Sequence, residues 1–447
     1  MTLSSISASR VRVVQSGRPI ARNFASMFIG NGLYSLSQIG FIVLLARTTN
    51  STQLGMFAFA LAFTAPVILF ATMQLPVLLA TDAQRRFRFV TYLSLGVLLY
   101  LAAILFIGGL SARLQGFSIP MVVVLLIGLS KAIDATSQIL YATRQRQERM
   151  VGVGVGRALN GLSSLAGAVI AALVTHSVVW VSVATACGSA LALALVAVPL
   201  SRRALRAEKS VWPGQLGPAG PETARLARLA FPLGCVSGIL AMNGALPTLV
   251  IQDRLGYASV GAFAAVAYLI LAPTTLTSAL STAAAPRLAK LHIADRPGVF
   301  RLAMFMLLAV FTGIGLAITA VAWLAGPALL HLIYHAGYGH MSSVFVVLAL
   351  GLTINLMGSA LGCGMTAARV LRVQVLIAGA TLAVTSVLSL LLVGPLGIIG
   401  VAWATVGGYV VLFFGAWIAI VPERGRGQHS PLPATEASSG RRPDAQA

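Results

Sequence analysis

Charged residues are scarce in this chain, and acidic residues are the scarcest. Only 9% of the 447 residues are Asp, Glu, Lys or Arg, against about 25% in an ordinary soluble domain. Ten residues are acidic, so the paired carboxylates that general acid and base catalysis uses have few places to occur. The composition therefore excludes a soluble enzyme.

Cysteine and nucleotide-binding motifs are equally poorly represented. The three cysteines, Cys187, Cys235 and Cys363, lie in apolar stretches and form neither a disulfide framework nor a CxxC site. No Walker loop occurs, so the chain by itself does not hydrolyse nucleotides. The glycine run at 152–156 lacks a preceding strand, and close packing of helices explains it better than a dinucleotide loop does. We expect no cofactor.

What the chain has is long apolar runs. Hydrophobic residues make up 58% of it, and the mean hydropathy is +0.91. A helix needs roughly 20 mostly apolar residues to cross about 30 Å of hydrocarbon. Twelve runs meet this requirement and predict an all-α, polytopic integral membrane protein. These runs are 24–46, 54–80, 91–110, 119–141, 151–174, 178–200, 229–252, 256–284, 299–324, 341–367, 373–393 and 397–421.

Positive charge is distributed unevenly among the segments between these runs. Lys and Arg number 31, the net charge is +21, and 27 of the cations lie in the two tails and in every second loop. Loops rich in Lys and Arg stay on the cytoplasmic side of a bilayer. We therefore predict that both termini are cytoplasmic. No basic patch is left that would indicate a nucleic-acid partner.

The longest hydrophilic break between spans divides the chain in two. Residues 201–228 contain Trp-Pro-Gly and Gly-Pro-Ala-Gly-Pro turns and follow the sixth span. We predict a first six-helix bundle at 24–200, a cytoplasmic linker at 201–228 and a second six-helix bundle at 229–421. Residues 1–23 are predicted to be a cytoplasmic tail. Residues 422–447, rich in Arg, Ser, Pro and Ala, are predicted to be a disordered cytoplasmic tail.

A weak internal repeat supports this division. A shift of 206 residues aligns Gly-Met-Phe-Ala at 55–58 with Gly-Ala-Phe-Ala at 261–264, and a shift of 220 residues aligns 181–188 with 401–408. Six helices separate the copies, so both have the same orientation in the membrane. Parallel repeats of this kind occur in alternating-access transporters. The competing explanation is chance identity, because apolar segments use few residue types.

Two ionisable residues lie inside a predicted span. Lys131 and Asp134 fall near the middle of 119–141, where a charge costs about 2.5–3.5 kcal/mol and usually faces the bundle interior or a watery cavity. Their spacing of three puts them on one helix face, where they can neutralise each other. The sequence leaves two interpretations open, a structural ion pair and a cation in a substrate path.

Other polar residues are candidates for lining such a path. Arg47 and Arg157 lie at span ends, and we add the embedded amides of Asn31, Gln38 and Asn355. For any one embedded amide, hydrogen bonding between helices is the more frequent role. The complete set of embedded amides is Asn31, Gln38, Gln74, Gln138, Asn160, Asn243 and Asn355.

The main non-transporter alternative is a membrane enzyme that assembles glycans. Such an enzyme needs water-facing carboxylates or metal ligands, but Asp253 is the one carboxylate on the outer side, and the inner acids are scattered singly. His331, His335 and His340 have spacings that could ligate zinc. Aromatic neighbours favour an interfacial segment instead. We expect neither an enzyme nor a metal site.

The first part of the chain resembles a known family. The matching residues are Asn-Phe-Ala-Ser-Met-Phe-Ile-Gly-Asn-Gly-Leu at 23–33, Gln38, Leu-Leu-Ala-Arg at 44–47, Leu-Gly-Met-Phe-Ala at 54–58 and the basic loop at 82–86. They are similar to those of the polysaccharide-export (Wzx-like) flippases, which belong to the multidrug/oligosaccharidyl-lipid/polysaccharide exporter superfamily. Chain length, twelve spans and two halves extend the resemblance to the whole chain.

The resemblance implies a bacterial inner-membrane flippase. It would move a polyprenyl-diphosphate-linked oligosaccharide to the outer leaflet by alternating access, for lipopolysaccharide O-antigen, capsule or exopolysaccharide. Membrane lipids, the polysaccharide polymerase and the chain-length machinery would be its partners. Lys131, Arg47 and Arg157 are the residues that we expect to meet the diphosphate. The alternative is a multidrug exporter, but such exporters commonly carry an acidic residue in the first span, and 24–46 has none.

Overall fold

A computed structural model describes residues 3–82, 86–207, 221–293, 297–334, 336–367 and 371–420. Every regular element within these ranges is a helix. The disordered tail predicted at 422–447 and most of the predicted linker lie outside the described residues. The α-helices are α1 (Leu3–Thr48), α2 (Ser51–Thr72), α3 (Leu75–Thr81), α4 (Phe89–Gln115), α5 (Ile119–Arg146), α6 (Val151–Thr175), α7 (Val178–Ala192), α8 (Val198–Ala207), α9 (Pro221–Ile293), α10 (Pro297–Ile333), α11 (Ser342–Ala367), α12 (Leu371–Leu396) and α13 (Ile398–Ile420).

The helices present apolar side chains outward as well as inward. Eleven segments among the described residues are long and apolar enough to cross a membrane. Leu105, Val174, Trp323 and Leu376 are each more than two-thirds exposed. A helix that is apolar all round is buried in a large core or in a bilayer. The outer surface therefore fits hydrocarbon, and the prediction of an all-α, polytopic membrane protein is confirmed.

The seventh and eighth predicted spans are joined without a loop. Both lie in α9, whose candidate membrane segment, Glu222–Ile270, has 49 residues. A straight helix of that length would measure about 74 Å, more than twice the thickness of the hydrocarbon. Gly256 interrupts α9 with φ 79° and ψ 176°, and Thr248 and Ala264, each eight residues from it, line the same cavity. α9 therefore folds back at Gly256 into two arms.

When the two arms of α9 are counted separately, the eleven candidate segments of the described residues correspond to the twelve predicted spans. The expectation of a loop at 253–255 is wrong, because these residues are helical. Asp253 and Arg254 form an exposed ion pair at 3.2 Å at the end of the first arm. Glycine is suited to the reversal, because a φ of 79° strains residues that have a Cβ.

Most helices pack on others of their own predicted half. α6 packs on α1 and α7, and α5 packs on α2, α4 and α7. In the second half, α13 packs on α11 and α12, and α10 packs on α11. The exception is α9, whose contact with α2 of the first half is the most extensive between any two helices of the described chain. The division into two bundles stays a prediction.

Small residues let the helices of the first half approach closely. A Cβ on Gly154 in α6 would meet the carbonyl oxygen of Ser26 in α1, and one on Gly30 would meet the carbonyl oxygen of Gly154. Association of membrane helices depends on such small residues, which allow close backbone contact. The glycine run at 152–156 therefore serves helix packing, as predicted.

Candidate functional site

Two neighbouring cavities lie among the helices and share the side chain of Leu61. The smaller cavity, of about 20 Å³, is enclosed by α1, α2, α5, α6 and α7 of the first half. The larger cavity, of about 380 Å³, lies between α2 and the helices α9, α11 and α13 of the second half. Of the predicted substrate-path residues, Gln38, Lys131 and Asp134 line the smaller cavity, and Asn355 lines the larger one.

Asp134 is the centre of the polar cluster around the smaller cavity. It is buried, and its Oδ1 accepts a hydrogen bond of 2.8 Å from Nδ2 of Asn160. Its Oδ2 accepts bonds from the hydroxyl of Tyr34 at 3.4 Å and from Nε2 of Gln138 at 3.3 Å. A buried charge is costly unless hydrogen bonds replace those it would make with water. Three neutral donors supply these bonds to the carboxylate of Asp134.

Lys131 lies one helical turn from Asp134 and has a different partner. Its ammonium donates to Oε1 of Gln38 in α1 at 3.3 Å. The same ammonium is 6.0 Å from the ring centroid of Tyr34, within the range of a cation–π contact. Asp134 acts on Lys131 electrostatically without a hydrogen bond between the two. The ammonium is therefore held by an amide and a ring.

Tyr34 also contacts a second cation. The guanidinium carbon of Arg157 in α6 lies 5.6 Å from the centroid of the Tyr34 ring. The Nε of Arg157 is buried and has no hydrogen-bond partner among the described residues. The cluster thus contains Lys131, Arg157 and Asp134, two cations and one anion. It carries an excess of positive charge inside the first half.

Hydroxyl groups extend the cluster across α5, α6 and α7. Oδ1 of Asn160 accepts hydrogen bonds from Ser189 at 3.2 Å and from Ser164 at 3.4 Å. The hydroxyls of Ser189 and Ser130 are 3.0 Å apart. Asn160 is therefore fixed on both sides, and it in turn orients the carboxylate of Asp134.

The larger cavity has a different character, because none of the described residues that line it carries a charge. Its wall in α2 consists of Ala58, Ala62 and Ala65 with two leucines. The opposite wall offers polar groups that include two amides and two phenols. These polar residues are Asn243, Thr248, Tyr268, Thr274, Asn355, Thr405 and Tyr409.

Leu61 in α2 lines both cavities. Tyr268, in the second arm of α9, lines the larger one. The charged cluster and the uncharged cavity are therefore neighbours across the boundary between the halves.

Three predicted site residues lie apart from the cluster. Arg47, at the end of α1, is exposed and donates to the carbonyl oxygens of Ile333 at 2.7 Å and Leu332 at 2.5 Å, at the end of α10. Asn31 is exposed on α1. Asn355 lines the larger cavity. The structure thus brings together Lys131, Asp134, Arg157 and Gln38 of the predicted set, and separates the other three from them.

Tyr34 and Tyr268 are not among the site residues predicted from the sequence. Tyr34 precedes Gln38 by four residues, which puts both on one face of α1, and this spacing was the available signal. Of the histidines, His335 lies outside the described residues. The described part of the chain contains no group of three His, Cys, Asp or Glu residues placed to hold a metal ion.

Comparison with known proteins identifies the family. Residues 20–292 match the family model described as "Polysaccharide biosynthesis protein". Over 399 residues the chain is 21% identical to the capsular polysaccharide biosynthesis protein CapF of Staphylococcus aureus. That alignment covers 88% of this chain and 97% of the relative.

Solved structures share the fold. The lipid II flippase MurJ in an inward closed conformation has a TM-score of 0.70 and 14% identity, over 88% of this chain and 86% of its own. A MATE transporter of Vibrio cholerae has a TM-score of 0.61 and 14% identity, over 91% and 97%. A transporter of the MOP superfamily from Pyrococcus furiosus has a TM-score of 0.56 and 13% identity, over 90% and 94%.

These comparisons confirm the resemblance found in the sequence. They also confirm a multi-pass membrane protein, and the bacterial inner membrane is the location that agrees with the family. The solved structures that share its fold are a flippase and transporters. The chain belongs to the polysaccharide biosynthesis protein family and has the fold of the transporters of the multidrug/oligosaccharidyl-lipid/polysaccharide exporter superfamily.

Proposed function

We propose that this protein is a flippase that moves a polyprenyl-diphosphate-linked oligosaccharide across the bacterial inner membrane by alternating access of its two halves. The observation that carries the proposal is the cluster of Lys131, Arg157 and Tyr34 beside the cavity between the halves, to which the shared residue Leu61 joins it. The product would serve the synthesis of a surface polysaccharide, which is lipopolysaccharide O-antigen, capsule or exopolysaccharide. The polymerase and the chain-length machinery would receive it.

The charge of the cluster suits a diphosphate. Each embedded charge costs about 2.5–3.5 kcal/mol on insertion scales, so a cation that a carboxylate does not neutralise needs another reason to be there. Asp134 offsets one of the two cations, and the second remains. Charge-assisted hydrogen bonds from Lys and Arg to phosphate oxygens are about twice as strong as neutral ones. A phosphate group of the substrate would offset that remaining positive charge.

The separate residues have separate roles in this proposal. Lys131 and Arg157 meet the diphosphate, while Asp134 and Gln38 hold the cations in place. Asn355 meets the part of the substrate that enters the larger cavity. Arg47 joins the ends of α1 and α10 and is exposed. In the predicted orientation this end of α1 is on the outer side, where the substrate would leave. Asn31 lies on the exposed side of the same helix.

A multidrug exporter of the same superfamily is the second candidate. The observation that favours it is the largely apolar wall of the larger cavity, which would accept an apolar drug. Against it, the first span lacks the acidic residue that such exporters commonly use. A membrane-embedded glycan-assembling enzyme is the third and weakest candidate, since few acidic residues are available.

Removal of the protein from its bacterium, followed by lipid extraction, tests the proposal. We expect lipid-linked oligosaccharide to accumulate on the cytoplasmic leaflet, with recovery on return of the wild-type chain. Lys131→Ala should insert normally and fail to restore export. Arg113→Ala, which removes an exposed arginine of α4, should restore it fully. An unchanged lipid pool together with drug hypersensitivity would instead support the multidrug exporter.

A further inference from the structure

Two consecutive residues between α2 and α3 have a left-handed backbone conformation. Met73 has φ 44° and ψ 25°, and Gln74 has φ 54° and ψ 24°. This conformation is unfavourable for residues that carry a Cβ, and glycine is the residue that usually adopts it. Other residues keep it only where the surrounding structure holds them, often at places that switch between conformations. Neighbouring contacts must therefore offset the strain of the turn at 73–74.

Pro76 explains why the helix breaks at this place. A proline inside a helix has no N–H to donate, and its ring clashes with the carbonyl group four residues earlier. That carbonyl here belongs to Thr72, the last residue of α2, and the proline lies in the first turn of α3 instead. Leu75 and Leu79 of α3 are fully buried, and α3 packs mainly on α5. α3 is thus fixed within the first half.

The strained turn is held by the first arm of α9, which belongs to the second half. Nε2 of Gln74 donates a hydrogen bond of 2.8 Å to Oγ of Ser237, which is buried. The side chain of Met73 packs on Gly234, where its Cγ lies 3.0 Å from the position of a Cβ. Separation of the two helices would therefore remove the contacts that keep Met73 and Gln74 in the left-handed region.

This contact lies directly beyond one end of the larger cavity. The lining of that cavity ends at Leu69 on α2 and begins at Ala241 on the first arm of α9. Phe70, the next residue of α2, has its Cβ 3.2 Å from the position of a Cβ on Gly238. Its ring centroid is 5.9 Å from that of Phe231. In the orientation predicted from the charges, this end of α2 faces the cytoplasm.

We propose that the turn at 73–74 is a joint that opens the larger cavity toward the cytoplasm. In the closed contact, the first arm of α9 holds Met73 and Gln74 in the left-handed region. When the contact breaks, both residues leave that region, and the end of α2 turns away from α9 while α3 stays fixed. The strain that is released favours opening. Hinges commonly consist of a few residues at the end of an element that absorb such a change in φ and ψ.

Labelling of a cysteine within the contact tests the joint without any substrate, so the outcome does not depend on what the protein transports. Ser237→Cys puts a thiol in the buried contact of a chain whose native cysteines are replaced by alanine. The purified full-length chain in detergent then reacts with a water-soluble methanethiosulfonate in proportion to its open fraction. Gln74→Ala and Gln74→Gly are compared in this chain. Both remove the side-chain amide, and they differ only by the methyl group that disfavours a left-handed backbone.

We expect the chain with Gln74→Ala to be labelled about ten-fold faster than the chain with Gln74→Gly, a difference of about 1.4 kcal/mol. The reason is that alanine strains the closed turn and glycine does not. Met73→Ala and Met73→Gly should differ in the same direction, and they repeat the test if Gln74→Ala does not fold. Equal rates within a folded pair, or faster labelling of its glycine variant, would overturn the joint.

Two controls separate opening of this contact from loss of overall stability. Glu148 also has a left-handed backbone, with φ 57°, but it follows the end of α5 and contacts α1. Glu148→Ala and Glu148→Gly should give equal labelling of Ser237→Cys. A second chain retains Cys363, buried in α11, as its one cysteine, and both Gln74 variants should label it at the same rate. A ten-fold difference in either control would show that these variants act on the whole fold, and the joint would be overturned.

Discussion

Gly55 in α2 and Gly261 in α9 face each other across the boundary between the two halves. The amide nitrogen of Gly261 lies 3.0 Å from the position of a Cβ built on Gly55, and the reverse distance is 3.1 Å. A Cβ on Gly55 would also meet the carbonyl oxygen of Tyr257, and one on Gly261 would meet that of Ser51. Because Ser51 and Tyr257 are separated by the same 206 residues, the contact is reciprocal, as a two-fold axis between the halves requires.

We predict that this contact does not tolerate a methyl group. Gly55→Ala should lower the stability of the folded protein by about 1–3 kcal/mol, as overpacking does, because the added carbon would meet backbone atoms, which cannot rotate away. Gly261→Ala should have a similar effect. Thermal unfolding in detergent measures both.

Gly109 in α4 provides the matched control. It is also a helical glycine, but apart from its chain neighbours and the backbone of its own helix, no atom of the described residues lies within 4 Å of the position of a Cβ. Gly109→Ala should leave the unfolding temperature unchanged or raise it slightly, since alanine is the better helix former. If Gly55→Ala and Gly109→Ala unfold alike, α2 and α9 do not pack as closely as described.

The charged cluster should behave as a coupled unit. The carboxylate of Asp134 accepts three hydrogen bonds, and Asp134→Asn replaces it with a neutral amide. This substitution should lower the free energy of unfolding by about 1.5–3 kcal/mol. It also leaves Lys131 and Arg157 without a negative charge. Adding Lys131→Gln removes one of those cations, so the double variant should lose less stability than the sum of the single variants. Additive losses would contradict electrostatic coupling between them.

Arg47 should hold the ends of α1 and α10 together. Each of its two hydrogen bonds is expected to contribute about 0.5–1.5 kcal/mol. Arg47→Ala should therefore increase the labelling of Ser51→Cys, at the same end of the molecule, by about ten-fold. The measurement uses a membrane-impermeant maleimide on a chain whose native cysteines are replaced by alanine. Arg113→Ala is the control. An equal labelling rate in both variants would contradict the role of Arg47 in joining α1 to α10.

The charge pattern makes a prediction about orientation. Because 27 of the 31 cations lie in the tails and alternate loops, the positive-inside rule puts both termini in the cytoplasm. Green fluorescent protein fused after Ala447 should fluoresce, and alkaline phosphatase inserted at Gly116 should be active. A fluorescent protein that stays dark at Ala447, together with an inactive phosphatase at Gly116, would indicate the opposite orientation.

The sequence predicts the helices of this fold well, because each crossing needs a long apolar run and that requirement is visible in composition alone. It also predicts a break between the seventh and eighth spans at 253–255, because the charges of Asp253 and Arg254 end the apolar run. It does not predict that both residues remain helical and that the chain reverses without a loop at Gly256.

The candidate site is only partly visible in the sequence, for a similar reason. Helical spacing puts Lys131 and Asp134 on one face of α5, as predicted. Their actual partners, Gln38 and Asn160, come from other helices, and contacts between helices are not encoded in the spacing of one of them. The larger cavity owes its space to small side chains such as Ala58 and Ala62, and alanine in an apolar helix gives no signal of a cavity.

Transport by the purified protein tests the central claim most directly. The full-length chain is placed in liposomes with farnesyl-diphosphoryl-N-acetylglucosamine that carries a fluorophore on its lipid end, and a membrane-impermeant reductant quenches the outer leaflet. If the protein flips the lipid-linked sugar, quenching will continue beyond the outer-leaflet share until little fluorescence remains, and Lys131→Ala will restrict it to that share. If wild-type vesicles quench no further than vesicles without protein, the chain does not move this substrate class.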